Sequence, residues 1–257
     1  MAKIIPSVKR AFEILELFLD GTKSFSVPEI SLRLGLPRTT TYDLVQTLLD
    51  CGYFERADNQ PQRFKLGLRV FELGNIYAAQ LDITHEGQKV AQKVSKACDE
   101  TVQMAIHDGT DAVFIIRVDS SQTLRLVSAV GSRLPAHCTA VGKMLLSALT
   151  DEKLAALYPE QKRLPGMTAN SITSLKGLVS ELAKIRKRGY AYDDCESNED
   201  ARCVAAPVYD RYGRICAAMS ITVPVTRMNS NRKKELTAIV ERGAQELSHR
   251  LGYGLGR

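Results

Sequence analysis

The chain has no apolar run approaching the roughly 20 residues a membrane-spanning helix needs. Its start, MAKIIPSVKR, is basic but lacks the apolar stretch of a secretory signal. Together these absences predict a cytoplasmic protein. The six cysteines, at 51, 98, 138, 195, 203 and 216, include no C-x-x-C pair, and no short Cys/His run has zinc spacing. No metal site and no cofactor is expected, and spread thiols of this kind are mostly free and buried. There is no G-x-S-x-G elbow, no P-loop and no G-x-G-x-x-G after a strand, which removes the common hydrolase, NTPase and dinucleotide signatures. A strongly basic region is also lacking. Residues 1–66 hold nine Lys/Arg and eight Asp/Glu, residues 67–226 nineteen and eighteen, and residues 227–257 seven and three. The excess at the C-terminus, including Arg232-Lys233-Lys234, reads as a solvated helix face.

What is present is ordinary for a globular protein: 257 residues, 44% hydrophobic and 25% charged, enough for one or two domains with their own cores. The most organised stretch is SVPEISLRLGLPRTTTYDLVQTLLD, residues 26–50. Ser26 and Glu29 have capping-box spacing, so a helix starts there, with Ile30, Leu32 and Leu34 as its apolar side chains. Gly35 stops that helix, and Pro37 suits the first turn of the next. In the second helix Thr41, Leu44, Val45, Leu48 and Leu49 share one stripe, and Thr39, Thr40, Asp43, Gln46 and Thr47 face the other way. A preceding helix would pack through Val8, Ala11, Phe12, Leu15 and Leu19. Residues 53–56 and 63–66 flank a polar turn with Asp58, Asn59 and Pro61, a β-hairpin. Three helices and a hairpin within about 66 residues form a winged helix-turn-helix, whose second helix enters the major groove of DNA. The candidate DNA contacts are Arg10, Ser26, Arg38, Thr39, Thr40, Tyr42, Asp43, Gln46, Arg63 and Lys65. With so little net charge, affinity must come from where these cations sit.

Residues 67–80 predict a helix with apolar residues around it, which suggests a partner surface. A further helix follows through Ile83, Val90, Ala91, Val94 and Cys98. From residue 101 the period changes to that of strands: 101–107 and 112–118 around Asp108-Gly109, then 124–127, 202–209 and 214–223. Helices are expected at 139–149, 175–187 and 231–251. An antiparallel sheet with helices packed on it follows. His137 beside Cys138, with Asp193, Asp194, Cys195 and Cys203, raises the alternative of a thiol-dependent enzyme, and a protein-interaction module is a second alternative. Neighbours in an extended stretch point opposite ways, however, so His137 is not expected to activate Cys138, and no catalytic residue is assigned. A ligand site is the more economical reading. Thr139, Ala140, Val141 and Gly142 open a helix whose N–H groups suit an anion, and small residues there admit a ligand to the backbone.

Ser7-Val8-Lys9-Arg10-Ala11, Gly35-Leu36-Pro37-Arg38-Thr39-Thr40 and Phe64-Lys65-Leu66-Gly67 resemble IclR-type bacterial transcription regulators. So do Arg133-Leu134-Pro135-Ala136-His137 running into Thr139 to Lys143, Arg186 to Tyr190, Asp193-Asp194, and Cys203 to Val208 with Gly213. The blocks stand in the family's order over nearly the whole chain. The resemblance implies an α+β protein: a winged helix-turn-helix over 1–66, a linker helix over 67–81 that helps the DNA-binding domains pair, and a GAF-like effector domain over 82–257, an antiparallel sheet with packed helices. It implies a homodimer or homotetramer on a near-palindromic double-stranded operator. It adds Thr123, Leu126, Leu134, Asp193, Cys203, Ser220 and Thr222 to Ala140 and Val141 as effector-pocket residues. The effector class expected is a small organic acid, a hydroxylated monoacid rather than a diacid, because Asp193 would repel a second carboxylate. This chain departs from the family's pattern twice: Asp43 stands where many members have arginine, and Asp200 near a usual glycine.

Overall fold

Residues 4–80, 82–122, 129–159 and 163–254 are described by the structure, a computed structural model. Packing divides the chain into two units, Met1–Gln80 and Leu81–Arg257.

In the first unit, α1 (Pro6–Glu16) runs into a 3-10 turn, Leu17–Asp20, and then β1 (Phe25–Ser26). Helices α2 (Val27–Leu34) and α3 (Arg38–Asp50) follow, then β2 (Phe54–Ala57), β3 (Gln60–Leu66) and α4 (Leu68–Gln80). Helix α2 starts at Ser26, whose N–H donates to Glu29 at 2.7 Å. It ends at Gly35, held at φ 63°, a left-handed conformation that glycine takes without strain. Pro37 lies one residue ahead of α3, with extended backbone, rather than inside its first turn. The hairpin β2–β3 is joined by β1, giving a three-stranded sheet in the order β1-β3-β2. The two-residue strand β1 is too short to show a period, so the sequence reading missed it.

The core of this unit is Ile14, Phe18, Phe25, Ile30, Val45, Leu48, Phe54 and Phe64. Phe18 and Phe25 meet edge to face with centroids 4.9 Å apart. This corrects the face expected of α1. Ile14 is fully buried, while Val8, Phe12 and Leu19 are 49%, 59% and 68% exposed. The stripe Val8, Ala11, Phe12 and Leu15 is real, but Val8 and Phe12 turn it outward, and Ile14 at its edge is the residue that faces in. Leu32 is likewise exposed, and so are Leu68, Phe71, Leu73 and Ile76 of α4.

The second unit begins with α5 (Asp82–Cys98), β4 (Thr101–Asp108), β5 (Asp111–Val118) and β6 (Arg133–Pro135). A 3-10 turn, Ala136–Cys138, leads into α6 (Ala140–Leu146), α7 (Asp151–Leu157) and α8 (Leu175–Arg188). Then come β7 (Ala191–Asp194), β8 (Ala201–Tyr209), β9 (Ile215–Pro224) and α9 (Ser230–Arg250). The six strands form one antiparallel sheet in the order β6-β5-β4-β9-β8-β7. The strand expected over 124–127 lies outside the described residues. Strands β6 and β7 and helix α7 were not read from sequence, being three, four and seven residues long.

Two cores flank the sheet. Met219, Ile221 and Val223 of β9 and Val204, Ala206 and Val208 of β8 join Val90 and Val94 of α5 and Val240 and Leu247 of α9. The alternate residues, Ala218 and Ala205, join Val141 and Leu145 of α6 and Leu178, Leu182 and Ile185 of α8. Because both faces are covered, β9 is buried from Ala217 to Pro224, its polar residues Ser220 and Thr222 included.

Helix α6 is shorter than the expected 139–149. Thr139 caps its start, its Oγ1 accepting from the Gly142 N–H at 3.0 Å. At its end Ser147 donates to the Met144 carbonyl at 2.6 Å, a local bond that competes with the helical ladder. Gly142 allows the close approach behind it, since a Cβ there would lie 2.2 Å from the Ala136 carbonyl oxygen. His137 and Cys138 sit in the 3-10 turn, not in the extended segment the sequence suggested.

Candidate functional site

The first candidate surface is the outer face of α3. Arg38, Thr39, Tyr42 and Asp43 are exposed along it, and Thr40 and Gln46 are half-buried. Thr41 turns inward and donates to the Pro37 carbonyl at 3.0 Å. The stripe and its opposite therefore divide as periodicity predicts. Ser26, Tyr42, Gln46 and Arg63 share one cleft between α3 and the hairpin, about 590 Å³ in volume. Arg56 and Gln62 of the hairpin line it too. Both were missed, although each flanks the polar turn where a wing tip was expected.

The predicted cations differ in how free they are. Arg38 makes no ion pair among the described residues and Arg10 is half-buried on α1. Lys65 pairs with Asp58 at 3.0 Å, with Glu55 at 3.9 Å. Arg63 is tied down further: Nε donates to Ser24 Oγ at 3.0 Å, Nη2 to the Ser24 carbonyl at 2.8 Å and Nη1 to Glu29 at 3.1 Å. Ser26 spends its hydroxyl on Glu29 at 2.8 Å.

The second candidate site is a cavity of about 160 Å³ between the sheet and α6. Leu134, Ala140, Val141, Asp193, Cys203, Ser220 and Thr222, all named from the sequence, line it. Thr123 and Leu126 lie outside the described residues. The sequence reading missed Gln103, Phe114, Met167 and Ser197 on its wall. Gln103 carried a readable signal: it is the one polar residue in the run Thr101–Ile106 beyond its first position. The pairing of β4, β9 and β8 places Gln103 opposite Ser220, and Cys203 opposite Thr222. Thr222 Oγ1 donates to Gln103 Oε1 at 3.2 Å and lies 3.2 Å from the Cys203 sulfur.

Asp193 is fully buried and its carboxylate is less free than expected. One oxygen accepts from the Glu196 N–H at 2.6 Å, and the other from the Ser197 hydroxyl at 2.5 Å. Burial raises its pKa, against the opposing pull of the Ser197 and Glu196 donors and of Lys143. Beside it Lys143 Nζ, 1% exposed, is bonded to Glu196. Burial raises the Glu196 carboxyl as well, although Lys143 lowers it. Asp193 is the only charged side chain among the described lining residues. The loop at Asp200 closes without glycine, its N–H donating to the Asn198 side chain at 2.8 Å.

His137 Nε2 lies 2.8 Å from the Pro165 carbonyl, and the Cys138 thiol is 3.7 Å from the same oxygen. The two side chains thus meet a common acceptor, and no bond joins them. Burial lowers the pKa of His137 and raises that of the Cys138, Cys195 and Cys203 thiols, so these groups are held neutral. Among the described residues no group of three or more His, Cys, Asp or Glu is placed to hold a metal. Nor is any described helix long and apolar enough to cross a membrane.

The fold has counterparts among known proteins. The IclR helix-turn-helix domain matches residues 7–58, and the C-terminal domain of bacterial transcriptional regulator IclR matches residues 75–249. The HTH-type transcriptional regulator XynR of Escherichia coli is 31% identical over 97% of this chain and 98% of its own. The crystal structure of Thermotoga maritima IclR superposes with a TM-score of 0.76 at 29% identity, over 96% of this chain and 99% of that one. An IclR homologue from Microbacterium hydrocarbonoxydans, crystallised with 4-hydroxybenzoate, shares the fold at a TM-score of 0.85 and 22% identity, over 95% and 98% of the two chains. With a matching helix-turn-helix, a matching C-terminal domain and relatives similar from end to end, the chain belongs to the IclR family of DNA-binding bacterial transcriptional regulators.

Proposed function

We propose that this regulator reads an operator through residues 1–66 and answers to a small organic acid held in the cavity of residues 82–257, with 67–81 as the linker helix. The observation that carries the reading is the convergence of Leu134, Ala140, Val141, Asp193, Cys203, Ser220 and Thr222 on one cavity. These residues come from separate segments of the sequence. A cavity near 150 Å³ takes a molecule about the size of one six-membered ring, which suits a compact ligand. Phe114, Leu134, Val141 and Met167 offer it an apolar wall, and Ser220, Thr222, Gln103 and Ser197 a polar one. Neutral donors of this kind can hold one carboxylate. A second would stand against Asp193. The 4-hydroxybenzoate bound by the Microbacterium homologue is a hydroxylated monoacid, which supports the class and not the compound.

The protein acts in the cytoplasm as a homodimer or homotetramer, with two recognition helices on inverted half-sites. Exposed Val8 and Phe12 on α1, and Leu68, Phe71, Leu73 and Ile76 on α4, support self-association. Ligand binding shifts the placement of the DNA-binding units and with it their fit to the operator. The test begins with selection of bound duplex from a random pool, followed by calorimetric titration with acids, amines and sugars. Ala140→Phe should abolish the ligand response and leave operator binding intact. Tight binding of a cation, or of a neutral ligand indifferent to Ala140→Phe, would remove this cavity from the mechanism.

A further inference from the structure

The wing of a winged helix can act only if it stands at a defined angle to the recognition helix. In this chain an ion pair joins β3 of the wing to α2, the helix that precedes the recognition helix. Ser26 on β1 lies opposite Arg63 on β3. Next to that pairing, Glu29 in the first turn of α2 accepts from the Ser26 N–H at 2.7 Å and from the Ser26 hydroxyl at 2.8 Å. Its carboxylate also meets the Arg63 guanidinium through two nitrogens, at 3.0 and 3.1 Å. The remaining reach of Arg63 goes to Ser24, through Nε at 3.0 Å and Nη2 at 2.8 Å. All three guanidinium nitrogens are thus engaged within the unit. The planar fork fits a carboxylate and a carbonyl at once, as a lysine could not. Arg38 makes no such ion pair among the described residues.

We propose that Arg63 is a positioning residue, clamped by Glu29 and Ser24 so that it fixes the wing against the helix-turn-helix, and is not a phosphate contact. The inference rests on the family's DNA binding and on α3 being the reading helix. It makes Glu29 a residue that helps DNA binding although it is an acid, bonded to the cleft residues Ser26 and Arg63.

The sign of that effect gives the test. The duplex is one selected by the wild-type chain from a random pool, and affinities are measured across a salt series for the wild type, Glu29→Gln, Arg63→Ala, Arg63→Lys, Arg38→Ala and the Glu29→Gln/Arg63→Ala pair. If Glu29 were only a charge near DNA, removing it would tighten binding. The clamp predicts that Glu29→Gln weakens binding to the selected duplex about tenfold and changes a scrambled duplex far less. Arg63→Ala should weaken it similarly with the salt slope unchanged, whereas Arg38→Ala should lower the slope by about 0.9, the share of one phosphate contact. The double variant should be no worse than Arg63→Ala alone, because both remove one coupled unit. Arg63→Lys should fail to rescue. Circular dichroism melting of each variant keeps a folding defect separate, since a clamp variant must stay folded at the assay temperature. Tighter binding by Glu29→Gln, a slope reduced in Arg63→Ala, or rescue by Arg63→Lys would overturn the proposal. A wild-type chain that selects no duplex would instead bring down the DNA-binding reading beneath it, and that failure shows in the wild type alone.

Discussion

The two candidate sites place their charges in opposite ways. On the DNA-facing unit the charged pairs are partly open to water: the side chains of Arg63 and Glu29 are 26% and 45% exposed, and those of Lys65 and Asp58 34% and 86%. Beside the cavity, Lys143 and Glu196 are 1% and 10% exposed at the side chain, and Asp193 is fully buried. Exposed pairs are screened and worth little as stability, typically below about 1 kcal/mol. A buried pair has already lost its water, so each partner depends on the other. The surface can therefore vary in sequence and remain folded, while the cavity wall stands or falls as a unit.

The sharpest break of that contrast is Lys143→Met. Removing the cation leaves Glu196 and Asp193 buried without it, and should destabilise the second unit by about 3 kcal/mol. Lys65→Ala in the wing should change stability by about 1 kcal/mol or less. Chemical denaturation of the full chain reads both, and equal losses would erase the distinction. Replacing the pair together, Lys143→Met with Glu196→Leu, should recover most of the loss.

Asp43 probes the surface from the side of recognition. It lies on the exposed face of α3, and an aspartate can accept from the amino group of cytosine while repelling phosphates. Asp43→Ala should relax specificity at one base pair by about 1–3 kcal/mol, and Arg38→Ala should weaken all duplexes alike. Binding to a set of single-base operator variants would show it. An unchanged preference after Asp43→Ala would leave the residue a solvated helix charge.

The smallest effect concerns pH and sharpens the comparison through its sign. Glu29 is lowered from 4.5 to about 2, chiefly by the Ser26 N–H and then by its hydroxyl. It therefore stabilises the first unit above its ordinary value, and that stabilisation is lost as pH falls from about 4.5 towards 2. Asp193 is raised from 3.8 by burial, so the fold favours its protonated form. Its contribution is fully present below 3.8 and is lost as pH rises through the raised value. Glu29→Gln should cost least in acid, and Asp193→Asn should look progressively better than the wild type as pH rises. Melting temperatures of both variants across pH 2–8 test this, and parallel profiles would contradict it.

Much of the first unit was legible because its signals are local. The stripe Thr41, Val45 and Leu48, the Ser26–Glu29 spacing and the stop at Gly35 each lie within about seven residues of chain. The hairpins at Asp58-Asn59 and Asp108-Gly109 were readable for the same reason. The inward side of α1 was not, because periodicity marks an apolar face without saying whether this unit's own core covers it, and Val8 and Phe12 are left exposed. The end of α6 was not, because there the Ser147 hydroxyl turns back to the Met144 carbonyl in competition with the helical ladder.

By itself the sequence determined the class of the longer elements, the order of the two units and the family, since periodicity, turn residues and motif blocks are properties of neighbouring positions. The tertiary structure decided what those elements do to one another. Lys143 meets Glu196 across 53 residues of chain, Gln103 meets Thr222 across 119, and Arg63 meets Glu29 across 34. No local pattern encodes such pairs. They follow from the strand order β5-β4-β9-β8-β7, the seat of α6 on the sheet and the third strand β1 beside the wing. That is why the residues of the cavity could be named from motifs, while the partners that neutralise, orient and occupy them appeared only in the fold.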